Sequence, residues 1–232
     1  MSRLPDPIEL AECIVVFPSA IEAPEAFLSN FLASPIEDGM SVVQKHENFG
    51  SDGAESFMLL RLPPEESRGK LTENKDDLFI DDLIKFDEIS KEIFSEYLRK
   101  YDINLSEPTE ITHSGMRHYT SDGCVGPHQD YSLDQPDTPN FTVTLNAYLT
   151  DAYEGGEIVF LSDDYDPTSD DKEEVKLVYK PRAGDVVVFP SVLWHKTNPV
   201  ISGHRYNINT VLVESSTPIW YSKIKEYSGK TA

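Results

Sequence analysis

The chain has 232 residues, a formal net charge of -21 at pH 7 and 39% hydrophobic residues. This length predicts one domain with a sizeable core, and the ordinary apolar content argues against a disordered chain. The acidic charge argues against nucleic acid as a partner, because an acidic surface repels a phosphate backbone. The charge fits either solubility or a preference for cationic substrates or peptides.

Cysteine content and apolar runs bear on the compartment. The two cysteines, Cys13 and Cys124, are too few for a disulfide framework or a structural zinc set. The first residues contain no apolar stretch of signal length, and no segment approaches the roughly 20 apolar residues of a membrane helix. We therefore expect a cytoplasmic protein with no membrane partner, while the oligomeric state stays open.

The first half of the chain mixes short strands with two helices. Strands are predicted at 13–18, 40–46 and 56–62. A helix is predicted to begin near Pro24, and a longer one over 85–101, where apolar residues at helical spacing form a stripe that packs on a sheet. The charged stretch 63–84 is predicted to be a solvated surface loop, with a lid over a site as the alternative.

The second half of the chain is predicted to be β-structure. Its strands are predicted at 114–120, 125–130, 141–149, 156–161, 175–180, 185–190, 193–198 and 204–213. Eight consecutive short strands with turn residues between them indicate a sandwich or barrel of the jelly-roll kind. The acidic stretch 161–175 is interpreted as a solvated loop, because it lacks the spacing of a calcium loop. We expect loop 131–140 to shape substrate choice as a flap.

Two of the predicted strands alternate between polar and apolar residues. The polar face of strand 141–149 carries Thr142, Thr144, Asn146 and Tyr148. In strand 204–213, the residues Arg205, Asn207 and Asn209 share a face. These polar faces either meet water or surround a polar ligand inside the barrel, with the apolar faces packed on the N-terminal helices. Alternation alone leaves both arrangements open.

A candidate metal site begins with His128 and Asp130. In an extended strand, residues two apart project to the same side, so both can reach one ligand. With His195 they make a two-histidine, one-carboxylate set, which suits non-haem Fe(II) and leaves coordination positions open. Turn residues between His195 and Arg205 predict a hairpin that returns the arginine to the site. There it could hold a carboxylate of a chelating ligand, unless it is a surface arginine.

The order of these motifs resembles one enzyme family. The segments are RHYTSDGCVGPHQD, TLNAYLTDAYEGGEIVF and PRAGDVVVFPSVLWHKTNPVISGHRY. Together they resemble the Fe(II)- and 2-oxoglutarate-dependent dioxygenases, in the prolyl 4-hydroxylase-like branch. The resemblance covers roughly residues 111–214 and implies a double-stranded β-helix, a jelly-roll variant. We therefore predict a single domain over 1–232, with supporting helices and strands in 1–110 and a C-terminal tail in 215–232.

The resemblance also implies roles for individual residues. It implies that the iron ligands are His128, Asp130 and His195. It puts Arg205 where the family binds the distal carboxylate of 2-oxoglutarate, and Tyr119 and Thr144 where side chains help to hold the same carboxylate. On the polar strand faces, Asn146 and Asn207 are interpreted as second-tier residues that line the pocket or orient waters.

The implied reaction uses Fe(II), 2-oxoglutarate and O2 to hydroxylate an unactivated C–H bond, with release of succinate and CO2. The expected substrate is a prolyl residue in a peptide or protein. A free amino acid or other small molecule is the alternative, and a non-catalytic metal-binding β-helix is a third hypothesis. Two positions depart from the prolyl hydroxylases, which usually have Lys at Arg205 and often have Tyr at Val125. We expect the apolar Val125 to bear on the choice of substrate.

Overall fold

The computed structural model describes residues 4–33, 43–46, 54–59, 78–103, 109–130, 141–168 and 173–214. Its helices are α1 (Pro24–Ala33) and α2 (Leu78–Lys100). Its strands are β1 (Ile8–Ala11), β2 (Ile14–Phe17), β3 (Val43–His46), β4 (Ala54–Leu59), β5 (Thr109–Tyr119), β6 (Val125–His128), β7 (Phe141–Tyr148), β8 (Tyr153–Gly155), β9 (Ile158–Leu161), β10 (Val175–Tyr179), β11 (Val186–Pro190), β12 (His195–Thr197), β13 (Val200–Gly203) and β14 (Arg205–Glu214).

The strands form antiparallel sheets. The eight-stranded sheet has the order β1-β2-β11-β7-β14-β5-β4-β3, and the four-stranded sheet has the order β10-β9-β12-β6. A further pair joins β13 to β8. The prediction of a mainly β fold with supporting N-terminal helices is confirmed. The division of the chain into 1–110, 111–214 and 215–232 stays a prediction, and the last of these ranges lies outside the described residues.

The two helices cover one face of the large sheet. The Phe27 ring of α1 meets the Phe79 ring of α2 edge to face, with 5.2 Å between the ring centroids. Beneath them, Leu145 of β7 and Ile208 of β14 belong to the same fully buried cluster. Burying each such side chain contributes about 1.5–3 kcal/mol, so the helices fix which face of the sheet turns away from them.

The other face of the large sheet packs on the small sheet. Phe189 of β11 meets Phe160 of β9 at 4.9 Å between ring centroids, and Val187 and Tyr148 are buried in the same cluster. The polar residues of β7 share this inner face, because Thr144 pairs with Phe189 and Asn146 pairs with Val187. Thr144 is fully buried and Asn146 is 6% exposed, so the polar face lies between the sheets and not in water.

Several predicted boundaries differ from the structure, and two of them belong to segments that were assigned to the site. Helix α2 begins at Leu78, seven residues before the predicted start, so the loop predicted at 63–84 extends too far. The loop was predicted to include residues 81–82 because they are charged. They lie in the helix instead, where Phe79 and Leu83 are buried against the core. Strand β6 ends at His128, so Asp130 lies beyond the strand predicted to carry it. The rest of the predicted lid and loop 131–140 lie outside the described residues.

Neither α1 nor α2, the helices of the described ranges, is long and apolar enough to span a membrane.

Candidate metal and carboxylate site

Strand pairing brings the two histidines of the predicted triad together. His128 ends β6 and His195 begins β12, and the antiparallel pairing puts these residues opposite each other. Asp130 follows in the bend after β6, with Oδ1 3.5 Å from Nε2 of His128 and Oδ2 3.7 Å from Nε2 of His195. The candidate ligand atoms all lie within 4.8 Å of one another. Among the residues described, no other cluster of three His, Cys, Asp or Glu is this close.

Backbone carbonyls hold both imidazoles in the orientation that a metal site needs. Nδ1 of His128 lies 2.9 Å from the carbonyl oxygen of Gly126, and Nδ1 of His195 lies 2.9 Å from that of Leu193. A carbonyl only accepts, so Nδ1 carries the proton and donates in both rings. The Nε2 lone pairs are therefore free and face Asp130. Such second contacts fix the tautomer and orientation of metal-binding histidines.

The electrostatics of the triad favour the protonation states of metal ligands. Burial lowers the pKa of His195 to about 4, and the charges of His128 and Arg117 act in the same direction. Burial raises the pKa of Asp130, but its interactions with His195, His128 and Thr144 outweigh burial and bring it below its usual range. At neutral pH the site thus offers a neutral imidazole and a carboxylate, which fit a divalent metal ion such as Fe(II).

Thr144 contacts the carboxylate of the triad. The Thr144 hydroxyl donates to Oδ2 of Asp130 at 2.6 Å, and the Ser191 hydroxyl oxygen lies 2.9 Å from the Thr144 hydroxyl oxygen. The side-chain amide of Gln129 donates to the carbonyl oxygen of Val192. The predicted role of Thr144 toward 2-oxoglutarate stays a prediction, and the contact that the structure shows is with Asp130.

A buried cation forms the second part of the site. Arg205 begins β14 and pairs with Tyr119 of β5, and it is 2% exposed, so the alternative of a surface arginine is wrong. The carbon of its guanidinium lies 4.6 Å from the Tyr119 ring centre and 5.1 Å from that of Tyr148. Among the described residues its Nε and Nη1 have no hydrogen-bond partner. A buried charge is costly unless it is paired, so this pocket suits an anion.

Two phenols add to this pocket. The hydroxyl groups of Tyr148 and Tyr153 are buried, and neither has a hydrogen-bond partner within the described part of the chain. Burial raises the pKa of Tyr148 and of Tyr153, although the charge of Arg205 opposes the change. Both phenols are therefore protonated near neutral pH and can donate to an anion beside Arg205.

Asn146 and Asn207, which were predicted as second-tier residues, lie between the metal-ligand triad and the Arg205 pocket. The side-chain oxygen of Asn146 accepts from Asn207 at 3.3 Å and from Asn209 at 3.2 Å. Asn207 pairs with Tyr148 across the sheet, and its own side-chain oxygen is buried with no partner among the described residues. Their predicted part in cosubstrate binding stays a prediction.

Sequence reasoning missed several residues of the site. Tyr148 shares the polar face of β7 with Thr144. The alternation of polar and apolar residues along this strand was therefore the signal that could have identified Tyr148 as a site residue. Tyr153 and Ser191 gave no such signal, because both lie outside the alternating strands: Tyr153 begins β8 and Ser191 follows β11. Val125 is 9% exposed and packs with Tyr119, Tyr153 and Val200. It therefore lies against the tyrosines around Arg205, and its expected bearing on the choice of substrate stays a prediction.

Comparison with known proteins finds similarity to one family over part of the chain. Residues 114–212 match the model of the 2OG-Fe(II) oxygenase superfamily. A PKHD-type hydroxylase of Pseudomonas putida (strain W619) is 36% identical over 94 residues, which cover 38% of this chain and 37% of the relative. The similarity thus spans well under half the length of this relative.

Solved structures share the fold. A prolyl hydroxylase from Trichoplax adhaerens, in complex with a hypoxia inducible factor peptide fragment, aligns with a TM-score of 0.57 and 12% identity, over 88% of each chain. The viral collagen prolyl hydroxylase of Paramecium Bursaria Chlorella virus-1, in a 2OG complex, gives 0.55 and 15%, over 88% of this chain and 97% of that one. These likenesses confirm the predicted double-stranded β-helix.

Proposed function

Residues 114–212 belong to the 2OG-Fe(II) oxygenase superfamily, and from this premise we propose that the chain is an Fe(II)- and 2-oxoglutarate-dependent dioxygenase. It hydroxylates an unactivated C–H bond of a prolyl residue in a peptide or protein and releases succinate and CO2. The observation that carries the proposal is the metal-ligand triad together with a buried arginine whose Nε and Nη1 have no partner among the described residues.

The triad is suited to hold the metal on one side. His128, Asp130 and His195 offer one ligand atom each, which would leave other coordination positions of a bound metal ion open. Bound Fe(II), with 2-oxoglutarate and O2 as cosubstrates, supplies the oxidising chemistry of the family. The protein's part is to keep the Nε2 lone pairs and the carboxylate directed at one point, and to keep water away from it.

The Arg205 pocket is suited to the distal carboxylate of 2-oxoglutarate. Arg205 offers Nε–H and Nη1–H, and Tyr148 and Tyr153 offer O–H, and all of these groups are buried. A carboxylate that enters this pocket gains charge-assisted hydrogen bonds and removes the penalty of an unpaired buried cation. The pocket therefore selects a dicarboxylate whose other end can chelate a metal.

The substrate is assigned from relatives and from the exposure of the site. The structures that share this fold include prolyl hydroxylases, one of them with a bound peptide fragment. In this chain, the side chain of His128 is 33% exposed, whereas that of His195 is 5% exposed, so a substrate approaches from the side of His128. A free amino acid or other small molecule is the alternative substrate at the same site.

Two measurements test the proposal. Anaerobic addition of 2-oxoglutarate to the Fe(II)-loaded protein should produce a weak visible charge-transfer band, and both His128→Ala and Asp130→Ala should abolish the band and succinate formation. A band or turnover that survives either substitution would place the metal elsewhere. For the substrate, mass spectrometry should find the gain of one oxygen atom on proline-rich peptides. A gain only in a pool of metabolites would reject the prolyl assignment and support the small-molecule alternative.

A further inference from the structure

Two buried hydroxyl groups connect the large sheet to Asp130. The Thr144 hydroxyl donates to Oδ2 of Asp130 at 2.6 Å, and the Ser191 hydroxyl oxygen lies 2.9 Å from that of Thr144. Both Thr144 and Ser191 are fully buried. They approach Asp130 from the side of the large sheet, whereas the two imidazoles approach it from the small sheet.

The chemistry of the three groups fixes the direction of both hydrogen bonds. An ionised carboxylate only accepts, so the single hydroxyl proton of Thr144 is committed to Asp130. The Thr144 oxygen must then accept from Ser191, whose proton is the only one available between the two hydroxyl groups. The result is a chain in which Ser191 donates to Thr144 and Thr144 donates to Asp130. Neighbouring hydrogen bonds of this kind strengthen one another in a buried site.

The backbone holds the donors of this chain in place. Thr144 lies within β7 and pairs with Phe189 of β11. Ser191 follows β11 directly, and its backbone N–H donates to the carbonyl oxygen of Thr142 at 3.1 Å. On the other side, Gln129 donates to the carbonyl oxygen of Val192 and so ties the bend of Asp130 to the same segment.

We infer that Thr144 and Ser191 are positioning residues that hold Oδ2 of Asp130 and leave Oδ1 as its single ligand atom for the metal. This inference rests on the proposed function. A carboxylate that binds through one oxygen occupies one coordination position, so the positions needed by the cosubstrates remain open. It also reassigns Thr144, because a hydroxyl whose proton is donated to Asp130 has none to donate to 2-oxoglutarate.

The strand that carries Thr144 also provides a matched control. Thr142 is equally buried and lies two residues away on the same face of β7. Its hydroxyl donates to the carbonyl oxygen of Leu212 at 2.8 Å. Thr142→Val and Thr144→Val therefore remove one buried hydroxyl each from the same strand, but only the second removes a contact with Asp130.

The test is Mn(II) binding to the metal-free full chain, measured by calorimetry, with thermal unfolding as a check on the fold. Thr144→Val should weaken Mn(II) binding by about 10- to 100-fold, the usual effect of losing a group that orients a metal ligand. Ser191→Ala should weaken it by a smaller factor. Thr144→Ser, which keeps the hydroxyl, should restore affinity, and Thr142→Val should leave it unchanged. The affinity for 2-oxoglutarate at saturating Mn(II) is measured in the same variants.

Other outcomes would overturn the inference. If Thr144→Val bound Mn(II) as wild type does but lost affinity for 2-oxoglutarate at saturating Mn(II), Thr144 would be a cosubstrate ligand. If Ser191→Ala had no effect, the serine would not belong to the chain of donors. The His128→Ala variant distinguishes a failure of the inference about Thr144 and Ser191 from a failure of the proposed function. Mn(II) binding that did not depend on His128 would overturn both, whereas binding that depends on His128 but not on Thr144 overturns this inference alone.

Discussion

The Arg205 guanidinium stacks over the Tyr119 ring, 4.6 Å from its centre, in a pocket where the arginine is 2% exposed. The two residues are partners across β14 and β5, so the sheet register fixes the stacking. Stacking on an aromatic face stabilises the cation but does not satisfy its N–H groups, and those of Nε and Nη1 have no partner among the described residues. An anion that binds beside Arg205 would accept hydrogen bonds from these N–H groups and so gain binding energy.

Arg205→Met should separate binding from folding. Without the guanidinium, the affinity for 2-oxoglutarate should fall by at least about 10-fold, because hydrogen bonds to charged groups contribute about 1.5–3 kcal/mol each. The ligand-free protein should keep or gain thermal stability, because an unpaired buried charge is replaced by an apolar side chain. Thermal unfolding with and without 2-oxoglutarate measures both effects. Arg182→Ala, at an exposed position, is the control and should change neither.

Tyr148→Phe and Tyr153→Phe should each weaken 2-oxoglutarate binding by about 10-fold, because each removes a donor to a charged ligand that is worth about 1.5 kcal/mol. Neither should destabilise the ligand-free protein, in which these hydroxyl groups are unpartnered in the described chain. Tyr97→Phe is the matched control, since its buried hydroxyl donates to the carbonyl oxygen of Cys13 at 2.8 Å. That variant should lose stability and keep its affinity. If Tyr148→Phe and Tyr153→Phe lost stability but kept their affinity for 2-oxoglutarate, the two phenols would not be donors to the ligand.

Gly156→Ala should disturb the Arg205 pocket through its shape. Gly156 has a φ of +64°, and an added Cβ would lie 3.1 Å from Cδ of Arg205 and 3.0 Å from Cε2 of Tyr153. The variant should lose about 1 kcal/mol of stability or more through the left-handed backbone, and should bind 2-oxoglutarate more weakly. Gly126→Ala, where an added Cβ meets nothing within 4 Å, is the comparison variant. Equal effects in both would argue against a role for Gly156.

Metal binding at the triad should stabilise the fold by mass action. At a Mn(II) concentration about 100 times its Kd, the free energy of unfolding should rise by about 2.7 kcal/mol, and a chelator should reverse the change. The His128→Ala variant should lose this stabilisation. The His204→Ala variant should keep it, because exposed His204 bonds His118 at 2.9 Å and is not part of the triad. Stabilisation that persists in His128→Ala would indicate a metal site elsewhere.

Cys13 should be slow to react at mildly alkaline pH. Burial raises the pKa of its thiol to about 11, and the charges of Glu12 and Glu9 act in the same direction. The thiolate fraction at pH 8 is then about 100 times smaller than for an ordinary thiol, and it rises as the pH approaches 11. In the Cys124→Ser variant, Cys13 is the only cysteine left. Its alkylation rate, measured from pH 7 to 10, should follow this increase. A rate that levels off below pH 10 would contradict the shift.

The alternation along β7 shows how far a sequence pattern reaches. It correctly separated an apolar face from a polar one, but it could not say whether the polar face meets water. The helices decide this, because α1 and α2 cover the apolar face around Leu145 and turn Thr144 toward the small sheet. Nothing local to residues 141–149 encodes that choice, since it depends on contacts with helices that end more than 40 positions earlier in the chain.

The sequence by itself determined the order and identity of the groups: the H-x-D pair, the distant His195, and Arg205 ten residues beyond it. The tertiary structure decided which of their atoms meet. The pairing of β6 with β12 puts His128 opposite His195, although Asp130 lies outside the strand that was predicted to align it. The tertiary structure also brought the Thr144 hydroxyl to Asp130 and buried Arg205, whose Nε and Nη1 find no partner in the described ranges. Residue types and spacings are local properties of a chain, whereas the partner of a buried proton or charge depends on register between distant strands.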